Sequence, residues 1–232
     1  MRTKVDIHDA GFVLVPGIVS DSLQSTVIEG LQSLPHERST RRGRTYAARN
    51  ILALPSVRSL AETWPIREIV EPVLGPDAFP VRGILFDKVP GANWHVGWHQ
   101  DQIIAVAERK EVPGFTAWSV KGGVPHVRPP ECVLEKMLTL RIHLDDCTRN
   151  NGALCVIPGS HRSGLLEQFE IDALVASRAP VVCDAECGTA LAMRPLLLHA
   201  SSPAASPTHR RVVHLEFAAE PLPGGLEWPA WS

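Results

Sequence analysis

The chain has 232 residues, of which 44% are hydrophobic and 21% are charged, and its formal net charge is -2 at pH 7. This length suits one substantial core, so we expect a single domain over residues 1–232. The balanced charge argues against nucleic acid as a partner. No apolar run reaches the roughly 18 to 20 residues that cross a bilayer, and the first residues lack an apolar leader, so no membrane partner and a cytoplasmic location are expected.

The N-terminal third predicts helices that pack against a sheet. Residues 11–17 form a short apolar stretch ended by Pro-Gly, which is typical of a strand. Apolar residues then recur at helical spacing over residues 20–34, and residues 55–74 predict two short helices broken at Pro65. Between them, residues 37–50 concentrate arginines without apolar periodicity. We interpret this segment as a solvated loop, with an anion-binding flap as the alternative.

The middle of the chain predicts strands on either side of a long excursion. Residues 81–88 alternate and form a strand that leads into the segment rich in histidine and tryptophan. Residues 102–136 are rich in Gly and Pro, and connections this long usually form lids or binding loops. Residues 138–144 alternate strictly, which predicts a strand with one core face and one polar face that can line a cavity. The Asn-Asn-Gly at 150–152 then predicts a hairpin with its return strand over residues 153–159.

The last third adds further strands and fixes the expected fold class. Residues 188–199 form one interrupted strand in this interpretation, and residues 209–217 form another after a turn rich in Ser and Pro. Many strands joined by Gly and Pro turns, with helices concentrated in the first third, predict a mainly β protein with helices. The expected architecture is a double-stranded β-helix, a jelly-roll or cupin-like barrel, backed by the N-terminal helices.

His99 and Asp101 form the pattern that points most directly to chemistry. Side chains two residues apart on a strand share a face, so an imidazole and a carboxylate can reach one ion. His199, which ends an apolar run a hundred residues later, is the candidate third ligand. Two histidines and one carboxylate suit Fe(II) and leave coordination positions open. His95 could instead pair with His99 as a zinc site on a helix, but the Gly-containing, aromatic context disfavours a helix there.

Three segments together resemble a known enzyme family. Trp-His-Gln-Asp at 98–101, Asn-Gly-Ala-Leu-Cys-Val-Ile-Pro-Gly-Ser-His at 151–161 and Arg-Pro-Leu-Leu-Leu-His-Ala-Ser at 194–201, followed by Arg210, are similar to the phytanoyl-CoA dioxygenase family. The resemblance covers roughly residues 82–218. It implies the cofactors of an Fe(II)- and 2-oxoglutarate-dependent oxygenase, with O2 as the second cosubstrate.

The resemblance also assigns roles to individual residues. It implies that His99, Asp101 and His199 bind iron and act in catalysis. It implies that Arg210 and Ser201 hold the distal carboxylate of 2-oxoglutarate, for which a planar guanidinium is well suited. It further implies that two residues near family positions contact this cosubstrate. They are Lys88 and Trp118.

The expected activity is oxidation of a small molecule, most simply hydroxylation, with release of succinate and CO2. Family halogenases replace the carboxylate ligand with a small residue, so Asp101 favours a hydroxylase. On the substrate side we expect Arg128 and Arg141, and His214 should share the cavity face of Arg210. Two alternatives remain at this point: a jelly-roll protein that binds metal without turnover, and a cupin-type metalloenzyme that does not use 2-oxoglutarate. The position of Arg210 discriminates against both.

Overall fold

The computed structural model describes residues 7–32, 38–41, 44–89, 93–205 and 209–231. Its helices are α1 (Asp21–Gln32), α2 (Pro55–Ala61), α3 (Trp64–Leu74), α4 (Glu131–Leu134) and α5 (Gln168–Ser177). Its strands are β1 (Phe12–Val15), β2 (Arg38–Arg41), β3 (Arg44–Arg49), β4 (Phe79–Asp87), β5 (Val96–His99), β6 (Ile104–Ala105), β7 (Thr116–Lys121), β8 (Val124–Arg128), β9 (Leu138–His143), β10 (Leu154–Val156), β11 (Val181–Cys183), β12 (Ala190–Met193), β13 (His199–Ser201) and β14 (Arg211–Ala218).

Two antiparallel sheets face each other and form the jelly roll. The larger sheet has seven strands in the order β1-β12-β9-β14-β4-β3-β2, and the smaller has four in the order β11-β10-β13-β5. Leu154 and Val156 of the smaller sheet pack in one buried cluster with Leu191 and Met193 of the larger sheet. The predicted fold class, a jelly roll backed by helices, is therefore confirmed.

The helical layer covers the outer face of the seven-stranded sheet. Side chains of α1, α2 and α3 share one core cluster with alternate residues of the central strands β9 and β14. In β9, Leu140 and Ile142 point into this cluster, so Arg141 and His143 face the interior of the jelly roll instead. The strict alternation in the sequence thus separates a helix-covered apolar face from a polar inner face.

Four local predictions were wrong. Where a solvated loop was expected over residues 37–50, the chain forms the β2-β3 hairpin at the edge of the large sheet. The excursion over residues 102–136 forms a three-stranded sheet, β6-β8-β7, followed by α4. Strand β10 does not return along β9 but pairs with β11 and β13 in the other sheet.

The expected interrupted strand over residues 188–199 was the fourth wrong prediction. It consists of two separate strands, β12 in the large sheet and β13 in the small one. The connection between them crosses the jelly roll, and it carries His199 from one wall to the opposite wall. Within the described residues, no helix is long and apolar enough to cross a membrane.

Candidate metal centre

Strand pairing brings together the three residues that the sequence nominated as metal ligands. His99 on β5 lies directly opposite His199 on β13, and their ring centroids are 4.1 Å apart. Asp101 follows β5 immediately, and its Oδ2 lies 3.8 Å from Nε2 of His199. One potential ligand atom from each residue lies within 4.8 Å of the other two. A single ion can therefore be reached by all three side chains.

Backbone carbonyls orient both imidazoles. Nδ1 of His99 is 2.9 Å from the carbonyl oxygen of Gly97, and Nδ1 of His199 is 2.8 Å from that of Leu197. Because a carbonyl can only accept, each Nδ1 carries the proton and donates it. The lone pair is then on Nε2, which is the arrangement that metal-binding histidines adopt when a second partner fixes the ring.

The buried side chain of Gln100 fixes the backbone between the candidate ligands His99 and Asp101. Its Nε2 donates to the carbonyls of Gly164 and Leu196 at 2.7 and 2.8 Å, and its Oε1 accepts from the backbone N–H of Leu166 at 2.9 Å. These bonds tie the segment to the neighbouring loop and to the residues before β13. Sequence reasoning missed Gln100, because its three backbone partners are distant in the chain.

The protonation states suit a metal ion. Burial lowers the pKa of His199 to about 3, so its ring is neutral at pH 7. Burial favours the neutral form of Asp101, but the nearby imidazoles, led by His199, and the Arg82 guanidinium outweigh it and hold the pKa of Asp101 below its ordinary value. Metal ligation requires this combination of neutral imidazole and ionised carboxylate.

Asp101 also has an unused ligand atom. Its buried Oδ2 has no hydrogen-bond partner among the described residues. A buried carboxylate oxygen without a partner is costly unless another positive group binds it. The donor set of two imidazole nitrogens and one carboxylate oxygen, with this orphaned oxygen directed between them, therefore fits Fe(II) or a similar divalent ion.

The three residues open into a cavity of about 170 Å³ between the two sheets. Apolar and aromatic side chains form part of its wall, and charged groups form the rest. The lining residues are Arg82, Ile84, Phe86, Trp94, Val96, His99, Asp101, Arg141, Leu154, His199, Ser201, Arg210 and His214. The structure thus brings Arg210, Ser201, Arg141 and His214 to the cavity that holds the candidate ligands.

Arg210 and Lys88 are neighbours on the larger sheet, next to Ser201 on the smaller one. Among the described residues, the buried Nε of Arg210 has no hydrogen-bond partner, and its Nη1 donates a long bond, 3.8 Å, to Sγ of Cys147. Nζ of Lys88 donates to Oγ of Ser201 at 3.2 Å and to the carbonyl of Ser202. Burial, followed by the charge of Arg210, lowers the pKa of Lys88 to about 7.

A second buried network runs across the inner face of the large sheet. Arg82 forms an ion pair with Glu216, whose Oε1 also lies 3.2 Å from Nε2 of His214. Nη1 of Arg141 donates to Nδ1 of His214 at 3.2 Å. Sequence reasoning missed Arg82 and Glu216, because the cross-strand register that joins β4 to β14 is not visible in either segment alone.

Two predicted residues lie elsewhere. Trp118 is on β7 of the three-stranded sheet, packs in a separate apolar cluster, and has the Arg109 guanidinium 5.5 Å from its ring centroid. Arg128 is on β8, where it donates to Oε1 of Gln102 at 3.4 Å. Neither lines the cavity described above. His95 is exposed and lies outside the three-residue cluster.

Solved structures share this architecture. AviO1 from Streptomyces viridochromogenes Tue57 is 22% identical with a TM-score of 0.67, covering 96% of this chain and 97% of AviO1. EctD from S. alaskensis, with 2-oxoglutarate and 5-hydroxyectoine, is 19% identical with a TM-score of 0.71, covering 94% and 75%. The epimerase SnoN, in complex with Fe3+, alpha ketoglutarate and nogalamycin RO, is 18% identical with a TM-score of 0.70, covering 97% and 90%. At these identities the likeness shows the fold.

The jelly roll and the two-histidine, one-carboxylate cluster define the class, the superfamily of iron- and 2-oxoglutarate-dependent oxygenases. No curated protein matches the chain in a sequence comparison. The family model described as phytanoyl-CoA dioxygenase (PhyH) matches residues 7–212. The chain therefore belongs to the phytanoyl-CoA dioxygenase family, as the sequence motifs predicted.

Proposed function

We propose that the protein is an Fe(II)- and 2-oxoglutarate-dependent dioxygenase that hydroxylates a small molecule and releases succinate and CO2. The observation that supports this best is the presence of His99, Asp101, His199 and Arg210 around one buried cavity. Metal ligands alone would suit many cupin-like proteins. A buried guanidinium with no acidic partner among the described residues adds a site for a dicarboxylic acid.

In this proposal Nε2 of His99, Nε2 of His199 and the carboxylate of Asp101 hold Fe(II). When bound, iron with 2-oxoglutarate and O2 supplies the oxidising chemistry that amino-acid side chains lack. The Gly97 and Leu197 carbonyls keep each imidazole proton on Nδ1 and so keep Nε2 available. Asp101 occupies the position that a halogenase would leave open, which favours hydroxylation over halogenation.

Arg210, with Ser201 and Lys88, would bind the distal carboxylate of 2-oxoglutarate. A guanidinium can donate two parallel hydrogen bonds to a carboxylate, and its charge repays the desolvation of that anion in a dry site. The Lys88 ammonium and the Ser201 hydroxyl already contact each other at 3.2 Å, so both can donate to the same group. Trp118 is not part of this proposed subsite, because it lies in the three-stranded sheet.

The cavity wall would keep the reaction dry and restrict its substrate to a small molecule. Ile84, Phe86, Val96 and Leu154 supply apolar surface around the charged groups. Water-poor surroundings strengthen every charge interaction inside the site. A volume of about 170 Å³ is small beside the roughly 300 to 1,000 Å³ of typical drug-sized ligand pockets.

The direct test is Fe(II)-dependent conversion of 2-oxoglutarate to succinate by the purified protein. We expect His99→Ala and Asp101→Ala to abolish both metal binding and succinate formation. Arg210→Ala should retain metal binding and raise the apparent KM for 2-oxoglutarate at least tenfold, which corresponds to about 1.4 kcal/mol or more of lost interaction.

The same variants separate the alternatives. A cupin-type metalloenzyme that does not use 2-oxoglutarate, or a binding protein without turnover, would bind Fe(II) through His99 and Asp101 but form no succinate. Succinate formation that survives loss of either ligand would refute the metal assignment. An unchanged KM in Arg210→Ala would refute the cosubstrate assignment.

A further inference from the structure

Arg141 carries a buried positive charge that forms no ion pair among the described residues. Its side chain lies in the middle of β9, and the residue is 7% exposed. Nη1 donates to Nδ1 of His214, and the guanidinium carbon is 5.6 Å from the Phe86 ring centroid. The buried Nε has no hydrogen-bond partner in the part of the chain that the structure describes. Burying a cation without an opposite charge costs several kcal/mol. Packing therefore does not explain an arginine at this position.

Arg82, on the same inner face, provides the contrast. It forms a buried ion pair with Glu216, and Glu216 also accepts from His214. Since Arg141 donates to Nδ1 of His214, the ring proton is on Nε2 and the bridging imidazole is neutral. The one negative charge of Glu216 is therefore matched by Arg82, and Arg141 remains unmatched.

The charge balance under the proposed function leads to the same residue. The charges of Fe(II) and of the Arg210 guanidinium are balanced by Asp101 and by the two carboxylates of 2-oxoglutarate, which leaves no negative charge for Lys88 or Arg141. Glu216 balances Arg82. With the sites for Fe(II) and 2-oxoglutarate both filled, the guanidinium of Arg141 still faces the cavity without an anionic partner among the described residues. Burial, followed by the charge of Arg210, lowers the pKa of Arg141 to about 10, which still leaves it charged at pH 7.

We propose that the substrate is a small organic anion and that Arg141 binds its anionic group, an inference that rests on the proposed function. The Nε–H of Arg141 has no acceptor among the residues that the structure describes, and together with the adjacent amino group it offers the edge that a carboxylate binds in a bidentate way. Phe86 covers the guanidinium and His214 holds it in place. The anion would thereby orient the substrate relative to the metal ligands across the cavity.

The first test compares the stability of two arginine variants in the protein loaded with Mn(II), so that the ion, and not Arg141, opposes the charge of Asp101. Arg141→Met removes an unmatched buried charge, so the thermal midpoint should rise by about 2 to 4 °C. Arg82→Met leaves Glu216 buried without its partner, so the midpoint should fall. If Arg141 is instead a structural partner of His214, both variants lower the midpoint, and the proposal is overturned. Arg141→Lys retains the charge without the planar fork, and it should leave the midpoint close to that of the wild type.

The second test measures ligand binding to the anaerobic protein loaded with Fe(II) and 2-oxoglutarate. Acetate, benzoate and phenyl phosphate are compared with the neutral acetamide and benzamide in thermal-shift titrations. At least one anion should raise the thermal midpoint where its neutral analogue does not. Arg141→Met should lower the affinity for that anion at least tenfold. A larger effect of phenyl phosphate than of the carboxylates would identify the anionic group as a phosphate monoester.

Two results would overturn the proposal. One is the absence of any anion effect in the wild-type protein, and the other is an anion effect that persists in Arg141→Met. Loss of 2-oxoglutarate binding in Arg141→Met would also do so, because it would assign this arginine to the cosubstrate. Failure of the proposed function is distinguishable: it would appear as absent succinate formation, while the opposite stability effects at Arg141 and Arg82 would persist.

Discussion

Lys88 places an ammonium group inside the protein, and its titration should appear in the stability of the metal-free chain. The residue is 0% exposed, and burial with the nearby Arg210 charge lowers the pKa of Lys88 from 10.5 to about 7. In the unfolded chain the pKa returns to its ordinary value. Between these two pH values the unfolded state holds a proton that the folded state has released. The free energy of unfolding therefore rises with pH across this window, and it levels off below pH 7, where both states are protonated.

The magnitude follows from one proton. Stability changes by about 1.4 kcal/mol per pH unit where the two states differ by a full proton, which gives about 2 kcal/mol between pH 7.5 and pH 9. Lys88→Met keeps the length of the side chain and removes the titration. We therefore expect the wild-type protein to gain about 2 kcal/mol relative to Lys88→Met over this range.

Urea denaturation of the metal-free proteins at pH 7.5, 8.25 and 9 measures this difference. Buried thiols also titrate towards alkaline pH, and burial raises the pKa of Cys183 to about 12, but that contribution is common to both proteins and cancels. Lys136→Met is the matched control, because Lys136 is exposed and pairs with Glu220 at the surface. Stability curves of wild type and Lys88→Met that stay parallel from pH 7.5 to 9 would refute the reasoning.

Three further outcomes are expected. Mn(II), as a redox-stable probe, should raise the thermal midpoint of the wild type but not of Asp101→Ala; equal shifts would place the ion elsewhere. Gln100→Ala should weaken Mn(II) binding about 10- to 100-fold in a calorimetric titration, and unchanged affinity would deny Gln100 a positioning role. Gly152→Ala should lower the free energy of unfolding by about 2 kcal/mol, because the φ of Gly152 is +73°, a backbone conformation strained for alanine. The added Cβ would also lie 2.6 Å from the Ser202 carbonyl oxygen and 3.0 Å from Nζ of Lys88. Unaltered urea denaturation would contradict this.

The sequence predicted the cluster of candidate ligands because two of its three members are close in the chain. His99 and Asp101 are two residues apart, and His199 ends an apolar run that the fold places at the opposite strand. Alternation in β9 likewise predicted an inner polar face that includes Arg141. Alternation along a strand shows which face of the sheet each side chain occupies, and this can be read from the sequence without knowing the partner strand.

Strand partners could not be predicted in the same way. The Asn-Gly at 151–152 has the residues of a hairpin turn, yet the following strand β10 joins the opposite sheet. The residues of a turn determine the backbone conformation over a few positions. Which of the two sheets the next strand joins depends instead on contacts with residues far along the chain. The placement of Trp118 failed for a similar reason, because the excursion that contains it folds into its own three-stranded sheet.

The two facing sheets contribute different kinds of residue to the cavity. The smaller sheet carries His99, His199 and Ser201, whereas the larger carries Arg141 on β9, and Lys88 directly follows its strand β4. Metal ligation depends on a few atoms within 4.8 Å of each other, so the register of β5 against β13 is tightly constrained. The inward-facing cations lie on the opposite sheet, so their positions do not depend on that register. Under the proposed function, substitutions on the inner face of the large sheet should therefore change which anion is bound without moving the metal ligands.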